Sequence, residues 1–168
     1  SYRAWIEQQR QTPDLKPDQR GTADQLLRLA SSQADRIEKG IHALADDQIR
    51  DAFAIANRVM AVAARRRFGP MQQKRPDEVA APKWRPFQLA FVLMNLRAIA
   101  DPSCGERQTV DLLFFPTGGG KTEAYLGLAA FTLVMRRLRH DGGSQSGGMS
   151  VLMRYTLRLL TLDQLGRA

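Results

Sequence analysis

Apolar residues recur at helical spacing twice within the first 70 residues of the chain. The first stripe follows a capping sequence at Thr22 and continues to Leu44, with apolar side chains at intervals of three or four. The second stripe follows Asp46, a favourable N-cap residue, and ends at Gly69 and Pro70, which interrupt helices. Stripes of this kind usually face a protein core, although they can also bind a partner helix. The pattern predicts an α-helical N-terminal region over residues 21–70.

Polar, proline-containing segments lie on both sides of this helical region. Residues 1–20 contain Pro13 and Pro17 and show no sustained period, which predicts an extended arm. Residues 71–83 are charged and rich in proline, which predicts a linker. We therefore expect a further domain over residues 84–168.

The pattern after the linker alternates between helical and strand-like periods. Residues 87–99 predict a helix that is apolar on almost every side, as expected when a sheet covers one side and another element covers the other. Residues 110–115 form an apolar run of strand length, and a helical pattern follows over residues 122–139. A second strand is predicted over residues 150–155, and another helix begins at Leu157. This order predicts an α/β fold in which a βαβ unit forms a parallel sheet.

A phosphate-binding sequence lies between the first predicted strand and the helix after it. Three consecutive glycines at residues 118–120 precede Lys121 and Thr122. Glycines let a phosphate approach the backbone N–H groups, lysine supplies a positive charge, and the threonine hydroxyl binds Mg²⁺. The motif predicts ATP and Mg²⁺ as cofactors, with Lys121 and Thr122 as catalytic residues and Thr122 as the metal ligand. A glycine-rich turn with an incidental lysine is the alternative.

The motif departs from the strict phosphate-loop pattern at one position. The strict pattern has glycine where this chain has Phe115. Helicases often use a relaxed form that begins with proline and threonine, so the departure favours a helicase.

The charge of the chain, its cysteine content and its apolar segments indicate which partners and which cellular compartment to expect. The formal net charge is +8, and arginines cluster at residues 65–67, which favours a polyanion such as nucleic acid. A solvated helix surface would explain the cluster equally well. Cys104 is the only cysteine, which excludes an internal disulfide. No apolar stretch is long enough to span a bilayer and no secretory signal begins the chain, so we expect a cytoplasmic protein.

Two further segments resemble nucleotide-binding and nucleic-acid-binding motifs of superfamily-2 helicases. The run from Trp84 to Gln88 resembles the segment whose glutamine binds adenine, and Arg85 or an aromatic neighbour would flank the base. Residues 156–164 have the shape of the segment that binds the phosphates of a nucleic-acid strand, which implies contacts by Thr156, Arg158 and the nearby Arg154. A helix-capping glutamine and a surface arginine are the respective alternatives. The residues predicted to bind the nucleotide are Arg85, Gln88, Pro116, Thr117, Gly118, Gly119, Gly120, Lys121, Thr122 and Glu123.

Residues 84–96, 110–125 and 151–161 together resemble the DrmA family, superfamily-2 helicases of the DISARM anti-phage defence system. This resemblance implies a partial RecA-like P-loop domain, with the chain ending after motif Ia. It also implies an ATP-dependent DNA helicase or translocase that acts on single-stranded DNA, or on duplex with an unpaired end. A DUF1998-type partner protein (DrmB-like) is implied as well.

The catalytic Asp-Glu pair of such motors has no counterpart in the sequence after Arg158. We therefore expect a fragment that does not hydrolyse ATP alone, whereas the full-length parent does. Two alternatives remain: a P-loop ATPase that is not a helicase, and a non-catalytic scaffold subunit that binds nucleotide and DNA.

Overall fold

The computed structural model describes residues 1–11, 16–116, 118–140 and 147–154. Five α-helices account for most of them, and short 3-10 turns lie in the connections at Pro76–Glu78 and Gly105–Gln108. In chain order the helices are α1 (Tyr2–Arg10), α2 (Pro17–Ala43), α3 (Asp47–Met71), α4 (Pro86–Ala100) and α5 (Lys121–Arg139).

The predicted helical region is present as α2 and α3. The carboxylate of Asp46 accepts a hydrogen bond from the Ile49 N–H at 3.0 Å, so the predicted cap at the start of α3 is confirmed. Helix α2 begins at Pro17, five residues before the predicted start at Thr22, because proline is favourable in the first turn of a helix. The expectation of an extended arm was wrong for residues 2–10, which form α1 and bury Ile6.

Helix α4 lies between α2 and α5, and α3 packs against α5. The helix itself and its cover on two sides are confirmed, but the sheet expected on one side of it is wrong for the described residues, because helices lie on both sides. Gly40 allows α2 to approach α4 closely, since a Cβ atom there would lie 1.8 Å from the Leu93 carbonyl oxygen. The core consists of Ala52, Ala56, Val92, Leu93, Leu96, Ala100, Phe131 and Met135.

The predicted α/β fold is wrong for the part of the chain that the structure describes. That part contains no strand, and therefore neither a parallel sheet nor the βαβ unit of a RecA-like domain. Residues 110–115 alternate as a strand would, with Val110, Leu112 and Phe114 all more than 80% exposed. A strand also needs a neighbouring strand that takes up its backbone hydrogen bonds, and none is present among the described residues.

The helix predicted after the glycine-rich turn is confirmed as α5. It begins at Lys121, within one residue of the predicted start, and ends at Arg139 as predicted. The helix predicted from Leu157 lies outside the described residues. Among the helices described, none has an apolar stretch of the length that a bilayer requires.

Candidate nucleotide site

The three glycines, Gly118, Gly119 and Gly120, form a turn that leads directly into α5. The Gly119 N–H donates to the Pro116 carbonyl oxygen at 3.1 Å. Gly118 and Gly120 have φ angles of 79° and 91°, in the left-handed region that favours glycine. Because the first N–H groups of a helix have no partner within it, this turn presents unsatisfied donors to an approaching anion.

Lys121 folds back over the start of the turn. Its ammonium group donates to the carbonyl oxygens of Phe115 and Pro116, the latter at 3.1 Å. An ammonium group has three N–H donors, so one remains for a phosphate oxygen. Thr122 lies in the first turn of α5 with its side chain half-buried, and its hydroxyl would hold Mg²⁺.

Side chains at the N-terminus of α4 donate hydrogen bonds to the glycine turn. Arg85 donates from Nη1 to the Gly119 carbonyl oxygen at 2.9 Å. Gln88 donates from Nε2 to the Gly120 carbonyl oxygen at 2.7 Å and accepts the Arg85 N–H on Oε1 at 2.8 Å. Both residues predicted to flank and bind adenine therefore contact the glycine turn directly. Since Gln88 also caps α4, the alternative named for it is present in the structure, and adenine binding stays a prediction.

Phe115, the residue that departs from the strict motif, packs between α4 and Gly119. Its ring stacks on that of Phe87 in α4, with centroids 4.0 Å apart. A Cβ atom on Gly119 would lie 2.5 Å from the Phe115 ring. The departure thus has a structural reason: an aromatic contact with α4 takes the place of the usual glycine.

A cleft of about 580 Å³, within the size range of ligand sites, opens beside the turn. Helix α3 forms one wall, residues 82–85 with Gln88 form another, and Gly118, Gly120 and Glu123 form the floor. Of the described residues, four cationic side chains and one carboxylate, that of Glu123, line it, so the cleft suits a polyanion. The cations are Arg58, Arg67, Lys83 and Arg85.

Trp84 fixes the relative positions of the walls of this cleft. Its indole N–H donates to Oδ1 of Asn57 in α3 at 2.6 Å. Gly127 of α5 makes room for the ring, because a Cβ atom there would lie 2.7 Å from Cη2 of Trp84. One aromatic side chain therefore joins α3 and α5 at the cleft.

The contribution of α3 was not predicted from the sequence. Nη1 of Arg67 lies 3.4 Å from Oε1 of Glu123, and both side chains are a little over one third exposed. The arginine cluster at residues 65–67 was the only indication, and it could not show which arginine faces the turn.

A buried ion cluster, also not predicted, holds the chain just before the turn. Arg36 of α2 is 7% exposed and donates to both carboxylate oxygens of Asp111, at 2.6 and 2.8 Å. Glu106 lies 3.6 Å from Nε of Arg36 and accepts from Lys39 at 3.0 Å. The hydrogen bond with Asp111 raises the pKa of Arg36 above its usual value, although burial opposes this shift.

The residues predicted to contact nucleic acid are only partly described. Thr156 and Arg158 lie outside the described residues, as does Thr117 of the phosphate-binding motif. Arg154 is exposed and lines a second cleft, of about 980 Å³, together with Arg136 and Arg139. Among the residues that the structure describes, its lining includes arginines and no acidic side chain, which makes this part of the cleft positively charged.

Comparison with known proteins relates the chain to one curated protein. No family model matches the chain. The DISARM protein DrmA of Bacillus paralicheniformis is 40% identical over 177 aligned residues, which cover 99% of this chain and 16% of that protein. The chain thus spans about one sixth of the length of the relative it matches. Over this part of the relative the chain is similar to DrmA, so the resemblance predicted from its motifs is confirmed.

Proposed function

We propose that the chain is the nucleotide-binding part of an ATP-dependent DNA helicase or translocase in DISARM-type anti-phage defence. One observation carries the proposal: a glycine turn with Lys121 at the N-terminus of α5 faces a cleft whose lining is rich in cations. The similarity to DrmA supports the defence role. We further propose that the protein acts in the cytoplasm.

The nucleotide phosphates would bind at the N-terminus of α5. The backbone N–H groups of the turn and the free donor of Lys121 would contact phosphate oxygens, and Arg85 and Gln88 would keep the turn in shape. Mg²⁺, when bound at Thr122, would neutralise part of the phosphate charge. These interactions bind and orient the nucleotide.

DNA is the proposed macromolecular ligand. A net charge of +8 and the positively charged second cleft that includes Arg154 support contacts with the phosphates of a single strand or an unpaired end. Thr156 and Arg158 are proposed to contribute on the strength of their motif alone. A DUF1998-type partner is proposed by resemblance to the DrmA family.

A second candidate is a scaffold subunit that binds nucleotide and DNA without hydrolysis. The lack of a sheet behind the glycine turn, in the part of the chain described, favours it, because P-loop motors carry this turn between a strand and a helix. ATP hydrolysis by the full-length protein decides between the two candidates. Hydrolysis there supports the motor, whereas binding without hydrolysis supports the scaffold.

Replacement of Lys121 tests the nucleotide site. We expect Lys121→Ala to weaken binding of Mg-ATP to the chain at least about tenfold, because a charge-assisted contact with phosphate is lost. DNA affinity should change little, and in the full-length protein ATP hydrolysis should be abolished. Titration calorimetry with Mg-ATP measures the binding.

Lys74→Ala is the matched control, since Lys74 is an exposed lysine that lines neither cleft. Equal affinities of wild type, Lys121→Ala and Lys74→Ala would rule out the role given to Lys121.

A further inference from the structure

The cleft beside the glycine turn has a wall that the phosphate-binding motif does not provide. Residues 57, 58, 60, 61, 64, 67 and 68 line it, a spacing that places one face of α3 toward the turn. Arg67 is the residue of this face that pairs with α5, through Glu123. A helix some fifty residues earlier in the chain thus contributes charge to the proposed site.

Glu123 places a negative charge at the floor of the cleft. Its Oε1 lies 3.4 Å from Arg67, and its Oε2 lies 3.3 Å from the position of a Cβ atom on Gly120. A Cβ atom on Gly118 would meet nothing within 4 Å, so the turn is open there. The carboxylate therefore lies between the arginine and the turn, close to where an anionic ligand would approach.

The contact between Arg67 and Glu123 is of a kind that a phosphate can replace. Both side chains are more than one third exposed, and exposed ion pairs at this distance contribute little stability. A guanidinium binds phosphate through two parallel hydrogen bonds, a stronger and better-aligned contact. Arg67 would therefore gain from exchanging the carboxylate for a phosphate.

We infer that Arg67 of α3 is a phosphate-binding residue of the nucleotide site, and that Glu123 holds it until a nucleoside triphosphate displaces the carboxylate. The inference rests on the proposed nucleotide site. It makes the N-terminal helical region part of that site. It also makes Glu123 a competitor of the ligand, in place of the nucleotide-binding role that the motif predicted for it. The two partners of this ion pair should therefore affect affinity in opposite directions.

The test compares Arg67→Ala and Glu123→Gln in the whole chain by calorimetric titration with Mg-ATP. We expect Arg67→Ala to weaken binding about tenfold or more, because the charge-assisted hydrogen bonds between the guanidinium and the phosphate are lost. Glu123→Gln should strengthen binding several-fold, because it removes a competing negative charge and leaves Arg67 available. Arg28→Ala is the control, since Arg28 is an exposed arginine of α2 that does not line the cleft.

The opposite signs separate phosphate binding from a purely structural role. If Arg67 only joined α3 to α5, both substitutions would break the same pair and weaken binding alike, which would overturn the inference. Unchanged affinity in Arg67→Ala, with weakened binding in Lys121→Ala, would overturn it while leaving the proposed function intact. Failure of the wild-type chain to bind Mg-ATP would overturn both. Should Arg67→Ala fail to fold, Glu123→Gln decides: a rise in affinity supports the inference and a fall overturns it.

Discussion

Helix α2 takes part in two arginine clusters that share their chemistry and differ in their environment. Arg3 of α1 lies between Asp35 and Glu38, and Arg36 lies between Asp111 and Glu106. The side chain of Arg3 is 45% exposed and that of Arg36 is 8% exposed. Water can replace a lost partner at the first cluster but not at the second. The exposed cluster therefore only helps α1 to dock, whereas the buried cluster fixes the chain that enters the glycine turn.

The difference should appear under mutation and not under change of pH near neutrality. The hydrogen bond with Asp111 raises the pKa of Arg36, and the one with Glu38 raises the pKa of Arg3. The stability that a raised pKa contributes is fully present below the usual pKa of arginine and is lost only as the pH rises through the raised value. Both arginines therefore stay charged near neutral pH. Arg3 lowers the pKa of Glu38, and that contribution is lost only as the solution becomes acidic enough to protonate it.

The largest expected effect comes from removing the carboxylate of the buried cluster. Asp111→Ala leaves the guanidinium of Arg36 buried without its main partner, which should lower the free energy of unfolding by about 3–5 kcal/mol. Denaturation in guanidinium chloride at low temperature measures this. Affinity for Mg-ATP should fall as well, because Asp111 fixes the segment that enters the turn.

Asp111→Asn is the matched control for this change. It keeps the volume and one acceptor oxygen for Arg36, but removes the charge and replaces the second acceptor with an NH2 donor. The loss should be smaller than for Asp111→Ala because one hydrogen bond is kept. Equal stability of Asp111→Ala and wild type would show that the buried pair does not hold the segment.

A smaller effect is expected from changing the shape of the cation and keeping its charge. Arg36→Lys replaces two parallel hydrogen bonds with a single point of contact and should lower the free energy of unfolding by about 1–3 kcal/mol. Arg3→Lys makes the same change at the exposed cluster, and its denaturation curve should overlay that of wild type. Equal losses at Arg36 and Arg3 would contradict the role given to burial.

Helices α2 to α5 could be predicted from the sequence because helical hydrogen bonds are local, whereas α1 was missed. The cap at Asp46 and the bounds of α4 and α5 depend on residues within one turn of each other. The strand predicted over residues 110–115 could not be settled in this way, because its hydrogen bonds would depend on a distant partner that the local pattern does not specify. A period of two predicts where side chains point but not whether a sheet forms.

The candidate site shows the same division between local and distant contacts. The glycine turn, Arg85 and Gln88 were predicted because each lies in a short motif with fixed spacing. Arg67 and Arg36 were not, because their partners lie 56 and 75 residues further along the chain. Charge clusters identify such residues as cationic, but only packing shows which carboxylate each one meets.

The smallest expected effect comes from removing a carboxylate of the exposed cluster. Glu38→Ala takes one partner from Arg3, whose guanidinium keeps its hydrogen bond with Asp35 and is open to water. Its melting temperature should stay within the scatter of replicate wild-type melts, and high salt should leave the two proteins equal because it screens exposed charges. Ile6, buried against the rest of the protein, should keep α1 in place. Destabilisation as large as that of Asp111→Ala would show that the number of charged partners, and not their burial, sets the strength of these clusters.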